Sequence, residues 1–96
     1  MTRKECLDAA ADCVLQDRNA SYGGPEQSFS DIASLWSVIL RRPVTLAEVA
    51  LCMDAVKTAR LMSNPTHPDS WVDKAGYAAC GAEVSGRSAE ATRTLK

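Results

Sequence analysis

Apolar residues recur along the chain at intervals of three and four, the period of an α-helix that buries one side, and no strand-like alternation longer than a few residues interrupts them. Four segments follow this pattern. In the first, Thr2 and Glu5 have the spacing of a capping box, in which hydroxyl and carboxylate satisfy each other's backbone amides. Cys6, Ala9, Ala10, Cys13 and Val14 then trace one buried face, while Glu5, Asp8 and Asp12 read as a solvated stripe. The second segment opens at Pro25, a residue suited to the first turn of a helix, and Pro43 stops it. Between them Phe29, Ile32, Ala33, Leu35, Trp36, Ile39 and Leu40 form the broadest apolar stripe in the chain, which places this helix at the centre of the expected core. A second capping box, Thr45 and Glu48, starts the third helix, with Leu46, Val49, Ala50, Met53, Val56 and Leu61 on one face and Asp54, Lys57 and Arg60 along a neighbouring line. Pro65 and Pro68 bar its continuation. Asp69 or Ser70 is placed to cap a fourth, alanine-rich helix through Trp71, Val72, Ala75, Ala78, Ala79 and Ala82.

The fold class is therefore all-α, a compact four-helix bundle-like domain over residues 1–85. Beyond it Arg87, Arg93 and Lys96 against Glu90 leave +2 with little apolar surface, so a flexible, disordered tail is expected over 86–96. A chain of 96 residues is too short for two ordinary domains and buries only about 60–65% of its unfolded surface, so a second copy would help its core and a homo-oligomer is expected. Eleven Lys and Arg against twelve Asp and Glu give a net charge of -1, which offers no field for a nucleic-acid backbone or an anionic membrane. No window approaches the roughly 18 apolar residues of a membrane span, and the first residues lack a signal peptide's apolar stretch, so the cytoplasm is the expected location. Cys6, Cys13, Cys52 and Cys80 show no Cys-x-x-Cys spacing and read as small buried thiols; the lone His67 lies in a proline-flanked loop, and no metal site is expected.

Two segments carry residues that packing alone does not require. In the first, Arg18, Tyr22, Gly23, Gly24 and Glu26 precede or open the second helix. A helix N-terminus, an arginine fork and an aromatic face would together suit a nucleotide's phosphate and base. A purely structural use is also open, with Tyr22 packed under the loop, the glycines serving the turn and Arg18 bonding loop carbonyls. In the second, Lys57 and Arg60 on helix three face Asp69 and Asp73 on helix four if the two pack antiparallel, which predicts a charge network across that seam. There too the structural use stands beside the functional one, since Asp69 can cap and the lysine and arginine can pair with the acids at the surface. Gly76 would let a neighbouring helix approach, and Tyr77 is expected as a buried ring with its hydroxyl bonded. No catalytic nucleophile stands out, because Ser21 and Ser28 have no histidine near in sequence.

Arg18, Tyr22, Gly23, Pro25, Glu26 and Phe29, then Lys57, Arg60 and Leu61, then Asp69, Ser70, Asp73, Gly76 and Tyr77 together resemble the pattern of an uncharacterised family of small phage and prophage proteins, over roughly residues 15–84. More distantly the chain is similar to the MazG-type all-α nucleoside triphosphate pyrophosphohydrolases. That resemblance implies a dimerising helix bundle and magnesium held by Glu-x-x-Glu and Glu-x-x-Asp pairs. Here Asp73 and Tyr77 match the end of the second pair, Ser70 stands where its glutamate would be, and Asp54 with Lys57 replaces the two glutamates. Cations at Lys57 and Arg60 could meet phosphates where the hydrolases use magnesium. The leading expectation is thus a phage-encoded binder of a nucleotide-like phosphate ligand through Arg18, Tyr22, Gly23, Gly24, Glu26, Lys57, Arg60, Asp69, Asp73 and Tyr77, without hydrolysis and without a cofactor, in the host cytoplasm. By analogy with other small phage proteins, it would sequester a nucleotide signal of host defence. The alternatives are a pyrophosphohydrolase with Mg2+ on Asp54, Asp69 and Asp73, and a non-enzymatic protein-interaction module.

Overall fold

The computed structural model of the chain describes residues 1–17 and 24–95, the side chains of 16, 17, 25 and 86–95 excepted. Within them lie four α-helices and no strand: α1 (Arg3–Asp12), extended by a π-helical turn over Cys13–Asp17, α2 (Pro25–Leu40), α3 (Leu46–Ser63) and α4 (Pro68–Leu95). No helix among the described residues is long and apolar enough to cross a membrane. The expected division at 85/86 falls where the described side chains end; the backbone of α4 continues helical to Leu95.

Both capping boxes form. The Glu5 amide donates to Thr2 Oγ1 at 3.1 Å and the Thr2 amide to Glu5 Oε1 at 2.7 Å; at α3 the corresponding distances are 3.0 Å and 2.9 Å between Glu48 and Thr45. Each glutamate therefore accepts an amide hydrogen bond that is stronger when it is ionised, and the bond from the Thr2 or Thr45 backbone lowers its pKa from the ordinary 4.5, with Arg42 helping at Glu48. At the other end of α2 a single left-handed residue, Arg41 at φ 58°, turns the chain, so the helix ends two residues before the proline that bars its return. The Ser37 hydroxyl fastens this corner, donating to the Ala33 carbonyl at 2.7 Å and accepting from the Val44 amide at 3.0 Å.

The frame is an antiparallel hairpin of α3 and α4. A Cβ built on Gly81 would stand 2.9 Å from that of Ala50, so the glycine is what lets the helices meet there. α1 runs beside α4 in the same direction, with Val14 seated on Gly76, where a Cβ would come within 3.1 Å of the valine methyl. The expected close approach at Gly76 is thus made by α1. Across the hairpin, Phe29 and Ala33 of α2 join Val49, Ala50, Cys80 and Val84 in the buried core.

Several expected burial patterns are corrected. α2 is central only in part: Phe29 and Ala33 are buried and Ile32 and Trp36 half-buried, but Leu35, which lies off the side that carries Phe29 and Ala33, is exposed, as are Ile39 and Leu40 in the last turn. On α4 the buried positions are Ser70, Val72, Gly76, Cys80 and Val84, whereas Trp71, Ala78, Ala79 and Ala82 face outward. Val56 of α3 is exposed as well. Of the four thiols only Cys80 is buried; Cys6 is half-buried, and Cys13 and Cys52 are exposed. Neither Asp69 nor Ser70 caps α4, which begins at Pro68; both fall in its first turn, and the buried Ser70 hydroxyl meets His67 Nδ1 at 2.9 Å.

Gly81→Ala should lower stability in urea denaturation by about 1–3 kcal/mol, overpacking outweighing the roughly 1 kcal/mol gained in helix propensity. Ala50→Gly in the same chain should recover part of the loss, and a Gly81→Ala protein as stable as wild type would contradict the close-approach reading. Acid titration tests the caps. Because folding depresses the pKa of Glu5 and Glu48, their stabilisation is complete above the ordinary value and disappears as the pH falls through the folded one. Glu48→Gln should flatten the stability profile over that acid range and leave its slope near neutrality unchanged.

Candidate functional site

Of the residues singled out by sequence, Phe29, Asp73, Gly76 and Tyr77 come together. Phe29 and Tyr77 face each other with ring centroids 6.3 Å apart, and both line a small cavity, about 20 Å³, with Asp73, Gly76, Ser28 and the two thiols of Cys13 and Cys80. Local structure explains the convergence. Pro25 sets the start of α2 so that Ser28 and Phe29 fall in its first turns, and Asp73, Gly76, Tyr77 and Cys80 recur at three-to-four spacing along the side of α4 that faces them. The cavity has room for about one water molecule. Glu26 lies half-buried in the first turn of α2, with its Oε2 3.3 Å from where a Gly24 Cβ would be. Gly24 itself caps α2 in ordinary extended geometry, φ -75°, so its conformational freedom is not used there; what it spares is pressure on that carboxylate. Arg18, Tyr22 and Gly23 lie outside the described residues.

Beside the cavity runs the charge seam of the hairpin. Lys57 Nζ reaches Asp73 Oδ2 at 2.8 Å, the lysine side chain only 12% exposed and the carboxylate 37%. Lys74 makes the inverse pair, donating to Asp54 Oδ1 at 2.8 Å and to Thr58 Oγ1 at 2.7 Å. A network across the seam was expected, but its composition is corrected. Arg60 and Asp69 are exposed and form no ion pair among the described residues, and their places are taken by Lys74 and Asp54. Arg60 and Asp69 fall at the same level of the hairpin, but both are exposed, on sides of their helices turned away from the seam. Lys74 was legible in principle: Asp73 followed by Lys74 mirrors Asp54 and Lys57 across an antiparallel pair, each acid meeting the base of the other helix.

Among the described residues no group of three or more His, Cys, Asp or Glu side chains assembles as a metal site would require. Two wider and shallower hollows lie elsewhere. One, about 680 Å³, opens between Met1, Arg3, Cys6, Pro68 and Trp71; the other, about 430 Å³, follows the hairpin past Leu51, Ala78, Gly81 and Ala82. Each is mostly apolar and has one charged side chain on its lining, Arg3 or Asp54.

Fold and site together define a small all-helical protein built on a lysine–aspartate-laced hairpin. Residues 5–85 match the family described as "Domain of unknown function (DUF6378)", and the chain belongs to that family. It is 39% identical over 74 residues to the "Gene 55 protein" of Mycobacterium phage D29, covering 77% of this chain and 49% of the relative. To the "Gene 55 protein" of Mycobacterium phage L5 it is 37% identical over 73 residues, 75% of this chain and 47% of the relative. The chain thus spans about half the length of the curated relatives it matches. No solved structure matches it.

Removing one member of the Lys57–Asp73 pair should be asymmetric. Asp73→Ala leaves a largely buried ammonium without its partner and should cost about 1–3 kcal/mol, whereas Lys57→Met, which keeps the apolar stem, should cost less. Parallel urea titrations decide this, and equal, near-zero effects would reduce the pair to a surface contact.

Proposed function

We propose that this protein binds a nucleotide-like phosphate ligand, without hydrolysing it, at the Lys57–Asp73 seam. The observation that carries the proposal is the convergence of Phe29, Asp73 and Tyr77 on one cavity at the start of α2, with Lys57 fixed to Asp73 at 2.8 Å. A cavity of one-water size cannot enclose a nucleotide, so the ligand would lie over its mouth; Arg18 and Tyr22, proposed as ligand contacts from the sequence, lie outside the described residues. Lys57 has three N–H donors and gives one to Asp73, which leaves two for phosphate oxygens; Arg60, exposed one turn away, adds a second cation. In this reading Asp73 orients the lysine and balances its charge between ligands.

Lack of turnover rests on the state of the acids. The pyrophosphohydrolase alternative needs Asp54, Asp69 and Asp73 to share a magnesium ion, yet Asp54 is held by Lys74, Asp73 by Lys57, and Asp69 lies at the exposed start of α4. Bases locked to two of the three would have to be displaced before a divalent cation could enter. In a phage-type protein, a non-hydrolysing binder would act by lowering the free concentration of its ligand, and sequestration of a nucleotide signal of host defence is the role proposed.

Thermal melting against nucleoside triphosphates, cyclic dinucleotides and cyclic ADP-ribose, each with magnesium and with chelator, tests this. A ligand at one hundred times its Kd adds about 2.7 kcal/mol, which raises the Tm of a domain this size by roughly 10–20 °C. The shift should survive chelator, the ligand should be recovered intact, and Arg18→Ala or Lys57→Ala should abolish the shift. Release of pyrophosphate would restore the hydrolase alternative. A panel that leaves the Tm unmoved, with the same variants altering only stability, would favour an interaction module instead.

A further inference from the structure

The second half of α2 holds the most prominent unburied apolar group in the molecule. Leu35, Val38, Ile39 and Leu40 are 64, 78, 72 and 55% exposed. Leu35 and Ile39 are one turn apart, Val38 is one turn on from Leu35, and the half-buried Ile32 and Trp36 border them on the same helix. Asp31, exposed, precedes the patch; Arg41 and Arg42, also exposed, follow it.

We infer that this face of α2 is where two copies of the chain associate, with the two α2 helices antiparallel across a two-fold axis. The area is sufficient. The four exposed side chains offer about 450 Å², close to the apolar share, about 65%, of the roughly 800 Å² that each partner buries in a standard homodimer interface. The total surface agrees in direction: 6629 Å² against roughly 5,400 Å² for a compact monomer of this mass. The charges select the occupant and its orientation. A helix with an acid before its apolar patch and two arginines after it is complementary to its own reverse. Antiparallel pairing brings Asp31 of one copy toward Arg41 of the other, twice over, whereas parallel pairing sets like charges together. Arg41 is available for this, being in no ion pair among the described residues, while Arg42 already holds Glu48 at 3.2 Å.

Sedimentation equilibrium of the whole chain at about 100 μM, with reductant so that the exposed Cys13 and Cys52 cannot link copies, should give a dimer of twice 10.3 kDa. Leu35→Asp combined with Ile39→Asp should give a 10.3 kDa monomer with unchanged helical circular dichroism, since neither side chain is buried within the protomer. Arg41→Asp alone should weaken association tenfold or more, and Asp31→Arg in the same chain should restore it. This charge exchange decides the matter if the double aspartate variant unfolds. A wild-type monomer, an assembly that survives the aspartates, or a charge exchange that fails to restore association would each overturn the inference.

Discussion

The close approach of α3 and α4 at Ala50 and Gly81 is the constraint from which the rest of the molecule takes its positions. With a methyl group facing a bare Cα, the helices meet there more closely than a Cβ at position 81 would allow. That proximity brings the next turns within reach of one another, and the two crossed ion pairs Lys57–Asp73 and Lys74–Asp54 then fix the register. Partly buried ion pairs of this kind contribute modest net stability, because desolvation offsets most of the attraction, but a slip by one residue would leave each charge opposite the wrong partner. The packing sets distance and the charges set alignment. α1 and α2 attach to the hairpin afterwards, α1 through Val14 in the notch at Gly76 and α2 through Phe29 and Ala33 over Val49, Ala50, Cys80 and Val84.

The residues that sit in this core are mostly small. Phe29 is its one aromatic ring, and the remaining members are alanines, valines and a cysteine. At about 25 cal/mol per Å² of apolar surface buried, such side chains give less than a leucine-filled core of the same extent. The chain instead leaves leucines and isoleucines on its outside, at Leu7, Leu15, Leu35, Ile39, Leu40 and Leu51. A chain that buries valines, alanines and one leucine, Leu61, while exposing five leucines departs from the usual sorting of a small domain.

What the sequence makes legible follows from how local each cause is. Capping boxes at Thr2 and Thr45, the proline start of α2 and the prolines that separate α3 from α4 act within a few residues, and each appears where its pattern says. The burial of α2 could not be read the same way. Periodicity reports that a face is apolar, not which part of a broad apolar stripe another element covers, and Leu35, Ile39 and Leu40 are left exposed. The π-helical turn at Cys13–Asp17 has no pattern of its own in the sequence; it adds a residue to the turn beside Val14, next to the notch at Gly76. For the candidate site, Asp73 and Tyr77 were legible because they share one side of one helix. Arg60 was misplaced on the seam because a spacing of three from Lys57 is compatible with facing α4 or facing solvent, and only the hairpin's crossing decides between them.

The two lysines of the seam show how similar contacts leave different chemistry available. Lys74 divides its donors between Asp54 and Thr58, two partners that fill its reach and hold it to α3. Lys57 pairs with Asp73, which together with Tyr77 and Phe29 lines the cavity. The first lysine is therefore a fastening, while the second combines a fixed position with a place beside the cavity. A cation held in place by a carboxylate is poorly suited to recruit a metal, since the carboxylate is already neutralised. It is well suited to meet an anion, because its ordering entropy is spent before the ligand arrives. If the proposed ligand binds there, the seam that aligns the hairpin also pre-orients the charge that receives it, and the register of the fold and the affinity of the site rest on the same pair of residues.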